Sequence, residues 1–267
     1  MVTKVAELKL AVRVDAMRMP LRRALQQAAQ FGATAVELDA RNDIHPSQLS
    51  DTGLRQLRKI LEDVNLRVAA LRFPTRRGYD IAADLDRRVE ATKDAMLLAY
   101  RLGAPVVINS IGAVIETDDD TDDPRMDLLR SVLDDLGRYG AKVGAFLAAE
   151  TGNEPGETLA KALGESDDAF VAVALNPGQL IINRHSVAEA ITALRERIQI
   201  VCAVDGVIDL AAGRGLSVPL GQGTADFPDL IGRLEEIPFR GFYTVGRSDS
   251  SPAELANGLQ YLKQLGA

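Results

Sequence analysis

Eight short β-rich runs recur along the chain, and between most of them lie stretches with helical periodicity. The runs are "LKLAVRV" (8–14), "TAVELD" (34–39), "LRVAALRF" (66–73), "APVVINS" (104–110), "AFLAAE" (145–150), "FVAVALN" (170–176), "IQIVCAV" (198–204) and "GFYTVG" (241–246). Strands separated by helices cannot pair as hairpins. They pair in parallel, with each helix as the crossover. Spread over 267 residues, eight such units take roughly 33 residues each, the repeat length of a (β/α)8 TIM barrel. No glycine-rich dinucleotide fingerprint follows any strand, which argues against a doubly wound sheet. No linker or low-complexity boundary divides the chain, so residues 1–267 are expected to form a single domain.

The helix boundaries are also legible. Pro20, Pro124, Pro155 and Pro252 stand where a first-turn proline fits, and Ser186 and Ser251 can cap. Gly-Ala precedes three of the strands, at 32–33, 103–104 and 144–145. Glycine there ends a helix in a left-handed conformation and turns the chain into the strand.

Composition narrows the classes of function. Hydrophobic residues make up 46% of the chain but aromatics only 4%, so the core must be built of Leu, Val, Ile and Ala. The net charge of −7, with no basic run, provides no general attraction to nucleic acid or to an anionic membrane surface. The single cysteine, Cys202, excludes an internal disulfide and suits a reducing compartment. "MVTKVAELKL" at the start lacks a signal-peptide apolar stretch, and no apolar run is long enough to span a bilayer, so a soluble cytoplasmic protein is expected. One compositional oddity, "ETDDDTDDPRMD" (116–127), follows the fourth strand. It reads either as a solvated loop whose acids favour the next helix N-terminus or as a lid over the barrel mouth.

In a (β/α)8 barrel, chemistry sits at the C-terminal ends of the strands. Those ends carry Arg13 and Asp15, Glu37 and Asp39, Arg72, Asn109 and Ser110, Glu150, Asn176, Cys202 and Asp205, and Gly246 and Arg247. Alternation places Phe146, Ala148 and Glu150 on one face of the fifth strand, and Ala172, Ala174 and Asn176 on one face of the sixth. The small-residue face should line the barrel, so Glu150 and Asn176 should both point into its mouth. A carboxylate at the end of a buried strand is costly unless something engages it.

Four segments, "AAETG" (148–152), "LNPGQL" (175–180), "VCAVDG" (201–206) and "GRGLSVPLGQGTADF" (213–227), resemble the xylose-isomerase-like sugar phosphate isomerase/epimerase family of TIM barrels, and the likeness runs over nearly the whole chain. Members of that family bind a divalent metal through a Glu, an Asp, a His and a second Glu after strands five to eight, and the two Glu residues act as an acid/base pair. The resemblance makes Glu150 the match to the first ligand and the candidate catalytic residue. Asn176 stands where the Asp belongs, and Gln179 where a His usually follows it. Cys202 replaces the strand-seven His, ahead of a retained Asp205, and Gly246 replaces the second Glu. A hard divalent ion is poorly served by one carboxylate, two amides and a thiol, so neither metal nor other cofactor is expected. His45 and His185 have no ligand spacing to any of these positions, and a surface or cap-adjacent role is expected for each.

Arginine is what the strand ends hold instead. Guanidinium matches phosphate or carboxylate with paired hydrogen bonds, which nominates Arg13, Arg72, Arg184, Arg214 and Arg247 for an anionic sugar or sugar phosphate. Arg214 also matches the family's arginine-containing loop. Asn109, Asn176, Gln179 and Cys202 are nominated with them as binding residues. The competing reading pairs these arginines with Asp15, Glu37, Asp39 or Asp205 as rim ion pairs. Two functions remain open: a sugar isomerase or epimerase working without the usual metal, with Glu150 as base, or a non-catalytic homologue that binds an anionic small molecule. The sequence is compatible with a homo-oligomer and does not set an oligomeric state.

Overall fold

The structure, a computed structural model, describes residues 7–115, 123–164, 168–209 and 214–266. Eight strands close into a parallel barrel: β1 (Leu10–Arg13), β2 (Ala35–Asp39), β3 (Arg67–Arg72), β4 (Val106–Asn109), β5 (Phe146–Glu150), β6 (Ala172–Leu175), β7 (Ile198–Ala203) and the eighth barrel strand, β10 (Phe242–Val245). Between β7 and β10 a short antiparallel hairpin intervenes, formed by β8 (Asp205–Val207) and β9 (Leu216–Val218). The helices are α1 (Leu21–Gln30), α2 (Asp51–Asp63), α3 (Leu85–Leu102), α4 (Pro124–Val143), α5 (Gly156–Leu163), α6 (Pro177–Ile182), α7 (Val187–Leu194), α8 (Phe227–Glu235) and α9 (Pro252–Leu265). The eight strand assignments made from periodicity hold to within two residues at either end. Among the described residues no helix is long and apolar enough to cross a membrane.

Local signals explain the boundaries. Ser186 and Ser251 accept hydrogen bonds from backbone amides of their helices, and Ser251 with Glu254 completes a capping box. Gly32, Gly103 and Gly144 all have positive φ just past helix ends, as the Gly-Ala pattern predicts. Residues 116–122 of the acidic stretch lie outside the described residues, so the lid reading does too. Within the described part, Asp123 caps α4 and Asp127 lies in its first turn.

Two apolar layers sit on either side of the strands. Ala11, Ala35, Ala69, Ala70, Ala148, Ala172 and Ala174 face the barrel interior together with Ile108, Ile200 and Cys202. The branched positions Val171, Val173 and Leu175 turn outward to the helices. The interior of an eight-stranded barrel is only wide enough for side chains to fill, so alanine is what several facing strands can each contribute. Phe146, Phe170 and Phe242 pack at the N-terminal end of the interior, the first two edge-to-face with centroids 5.3 Å apart. A register shift between β2 and β3 at Val36/Glu37 aligns Glu37 with Ala70 and Asp39 with Arg72. It puts adjacent residues Ala69 and Ala70 both inside and sends Arg72, two positions on, into the mouth.

Candidate functional site

With aromatics closing one end, polar groups gather at the other. A cavity of ≈ 400 Å³ opens at the C-terminal ends of the strands. Arg13, Arg72, Glu150, Asn176 and Arg247 from the strand ends line it, together with Gln179, nominated from the family resemblance. So do Ser110, Thr151, Asn153, Ser217, Ser248 and Asp249, which gives it a lining rich in hydroxyls and amides. A larger groove of ≈ 470 Å³ lies in the outer helical layer, between α5 and α7 and away from every strand end.

Arg72 dominates the floor. Its Nε donates to Glu37 Oε1 at 2.5 Å, its Nη1 to Glu150 Oε2 at 2.7 Å and its Nη2 to Cys202 Sγ at 3.4 Å. The other Glu150 oxygen, Oε1, accepts from the Asn176 amide at 2.9 Å. Burial alone would raise the Glu150 pKa, but the charge of Arg72 and the hydrogen bonds from Arg72 and Asn176 outweigh it and hold the carboxyl below its ordinary value. Glu150 is therefore ionised and weakly basic. The Cys202 thiol is pushed well above its ordinary value by burial and by the charge of Glu150, so it is neutral.

Asn176 is fixed from both ends. It caps α6, its Oδ1 accepting from the Gln179 amide at 3.1 Å, and this leaves its NH2 group facing Glu150. Asparagine before proline is a helix-start signal, and it marks the start of α6. Gly246 has φ +135°, and a Cβ there would meet Leu255 Cδ2 at 2.9 Å and Arg13 Cβ at 3.0 Å. The backbone at this strand end is thus one that a glutamate would strain.

The remaining arginines of the mouth are paired with acids. Arg13 makes two bonds of 2.7 Å to Asp15, and Arg247 holds Asp249 at 2.6 Å and Glu254 at 3.0 Å. Rim ion pairs therefore account for Arg13, Arg72 and Arg247. Asp39 and Asp205 do not take part in them: Asp39 accepts from the backbone amides of Arg41 and Asn42, and Asp205 from four loop amides. Asn109, Arg184 and Arg214 do not line the cavity. Asn109 is buried and ties the β3–α3 connection through Tyr79 and Thr75; Arg184 donates to the Asp209 carbonyl; Arg214 is exposed on the β8–β9 connection. Cys202 lies beneath Arg72 in the interior rather than on the cavity wall. His45 bonds Ser47 at the surface, and His185 approaches the Asn153 carbonyl at 3.3 Å. Among the described residues no group of three or more His, Cys, Asp and Glu is placed to hold a metal ion.

A closed parallel barrel with its polar residues gathered at the C-terminal mouth defines a (β/α)8 protein with a mouth site. Residues 25–265 match the model of the xylose isomerase-like TIM barrel family, and the chain belongs to that family. Solved structures similar to it include a xylose isomerase domain protein from Planctomyces limnophilus (20% identity, TM-score 0.83, 97% of each chain covered). A xylose isomerase-like TIM barrel protein from Mycobacterium smegmatis in complex with magnesium is 17% identical, with a TM-score of 0.76 over 99% of this chain and 98% of that one. A D-psicose 3-epimerase in the presence of D-fructose is 14% identical, with a TM-score of 0.74 over 97% and 100%. At these identities the likeness is one of fold. No curated protein sequence matches the chain.

Proposed function

We propose that the mouth binds a small polyhydroxylated carbohydrate, and that it does so without a divalent metal. The observation that carries this reading is that protein donors already engage both oxygens of Glu150, Arg72 on one and Asn176 on the other. A metal would have to displace a guanidinium from that carboxylate. The donors that would then surround it are an amide at 176, a thiol at 202 that burial keeps protonated, and no side chain at 246, a set that does not fit a hard divalent ion.

The hydroxyls and amides of Ser110, Asn153, Gln179, Ser217 and Ser248 supply donors and acceptors of the kind that read sugar hydroxyls. Charge speaks against a phosphate in the floor. Arg13, Arg72 and Arg247 are matched there by Asp15, Glu37, Glu150, Asp249 and Glu254, so no guanidinium of the cavity is without a carboxylate. These ion pairs favour a neutral ligand in place of the anionic one expected from the arginine count. The epimerase of similar fold, found with a ketohexose, makes ketohexoses the first ligands to try.

Binding is favoured over two-base epimerisation. That reaction needs a group on each side of the substrate carbon, and here one is a weakly basic carboxylate and the other a glycine. Single-base isomerisation through Glu150 is the second reading, supported by its ionised state and its place on the cavity wall.

Calorimetric titration with a panel of aldoses, ketoses and their phosphates, followed by proton NMR in deuterated water, tests both. We expect an uncharged sugar to bind, its phosphate to bind no tighter, and no carbon-bound hydrogen to exchange. A panel in which only phosphates bind, or none binds, overturns the neutral-carbohydrate reading. Exchange that is lost in Glu150→Gln establishes the isomerase reading instead.

A further inference from the structure

Resting on the carbohydrate reading above, we infer that Thr151 is a specificity-determining residue of the mouth, its hydroxyl donating a hydrogen bond to a hydroxyl oxygen of the bound sugar. Thr151 follows Glu150 at the end of β5 and lines the cavity, yet it is only 3% exposed. The serines of the cavity, Ser110, Ser217 and Ser248, are more open to solvent. An open hydroxyl turns freely and is already bonded to water. A buried hydroxyl that is held from one side has few directions left, and those directions select a ligand.

The backbone of α6 holds it. The N–H of Asn176 donates to Thr151 Oγ1 at 2.9 Å. This N–H belongs to the N-cap of α6, where no carbonyl of the helix can take it, and Asn176 is buried. Thr151 thus satisfies a donor that would otherwise be orphaned. Its own backbone N–H is committed as well, to the Ala174 carbonyl at 3.1 Å, and β-branching limits rotation of the side chain. The next residue, Gly152, has φ +142°, and a Cβ there would meet Gln179 Cβ at 2.4 Å. The first turn of α6 therefore seats directly on the turn after β5, with the Thr151 hydroxyl at the contact.

What remains is the hydroxyl hydrogen. Among the described residues no acceptor takes it. Glu150, the adjacent carboxylate, takes its hydrogen bonds from Arg72 and Asn176 instead. A hydroxyl that already accepts a hydrogen bond is the stronger donor for it. A sugar hydroxyl suits this donor, because its oxygen can accept from Thr151 while its own hydrogen goes on to another acceptor of the lining.

The test is a cycle of ligand and protein changes read by calorimetry. The probes are the tightest-binding of the four D-ketohexoses and analogues of it with one hydroxyl at a time replaced by hydrogen. Against wild-type protein at least one analogue should bind roughly tenfold more weakly than the parent sugar. Thr151→Val should bind the parent roughly tenfold more weakly, and loss of that same hydroxyl should then cost no more than about twofold. The other analogues should rank alike in both proteins. Thr151→Ser, which keeps the hydroxyl, should bind the parent within about threefold of wild type. Thr151→Val strands the Asn176 amide and can fail to fold. Thr151→Ala then takes its place, since the space it opens admits a water to that amide.

Parallel weakening of the parent and every analogue in the folded variant would make Thr151 a support of α6 alone and overturns the inference. So does unchanged affinity in that variant, a wild-type profile with no sensitive hydroxyl, or failure of both variants to fold. In each of these cases sugar binding by the wild type leaves the carbohydrate reading intact. Wild-type protein that binds none of the four ketohexoses overturns the inference, and a wider panel in which no sugar binds overturns the carbohydrate reading with it.

Discussion

Two glutamates four positions apart, Glu150 and Glu154, show how strongly surroundings decide what the same side chain does. Glu150 has a guanidinium and an amide on its two oxygens, and they hold its carboxyl below the ordinary value against the effect of burial. Glu154 is 6% exposed, has no hydrogen bond among the described residues, and is pushed by burial from 4.5 to about 7. Their contributions to stability therefore run in opposite directions with pH. Glu150 contributes stability above its unfolded-state pKa, and that stability is lost as pH falls through its lower folded-state value. For Glu154 the native chain keeps a proton that the unfolded chain releases, so stability is highest below about 4.5 and declines as pH rises toward 7. Glu154→Gln should accordingly raise stability at pH 8 by roughly 3 kcal/mol and change little at pH 4. Urea unfolding midpoints at the two pH values measure this, and an equal shift at both would refute it.

At the scale of elements, the long connection between β7 and α8 is not irregular throughout: it forms the β8–β9 hairpin and then a tight return held by a single buried carboxylate. Asp205 accepts from the amides of Gly206, Gly221, Gly223 and Ala225 at 2.8–3.0 Å. The approach is so close that a Cβ on Gly223 would lie 2.1 Å from Asp205 Oδ1. The return positions β9, and with it Ser217, on the cavity wall. Asp205→Asn keeps the shape but replaces an anionic acceptor with an amide that has only one oxygen. The expected cost is about 2–3 kcal/mol, since hydrogen bonds to charged groups are the stronger ones. Hydrogen exchange should quicken at Gly221, Gly223 and Ala225 while the amides of β5 and β6 keep their protection. Uniform quickening through the barrel would show that Asp205 supports the whole fold rather than this return.

For the whole molecule, the barrel has a polarity along its axis: phenylalanines at the N-terminal end, alanines through the middle, and charged and amide side chains at the mouth. The alanine layer sets the barrel's width, because each strand contributes a side chain to a shared and limited space. Ala148, fully buried, faces that layer, whereas the neighbouring Ala149 faces the helices. Ala148→Leu is expected to destabilise by about 1–3 kcal/mol through overpacking. Leu97, exposed on α3, is the control, and Leu97→Ala should cost well under 1 kcal/mol. Denaturant midpoints for the two variants decide it, and an Ala148→Leu protein as stable as wild type would mean that the interior has spare volume.

The sequence by itself determined the order of the elements, the inward faces of β5 and β6, the capping serines and the strand ends where polar residues collect. Each of these rests on local periodicity or on a cap a few residues away, and such signals survive without a fold around them. Glu150 as a mouth residue was legible for the same reason, from alternation along one strand. Only the tertiary structure decided its partners. Arg72 lies 78 positions from Glu150 and 130 from Cys202, and its Nε reaches Glu37 across the neighbouring strand. A guanidinium on a long side chain can reach any of several acids, and the sequence offers no rule for choosing among Asp15, Glu37, Asp39 and Glu150. The choice was made by barrel closure and by the register shift between β2 and β3: the backbone of Arg72 is level with Ile108 and Ala148, and its long side chain reaches on to Glu150. Arg184 and Arg214, the latter favoured by the sequence reading because it also matches the family loop, lie off the cavity wall while Arg13 and Arg247 stand on it.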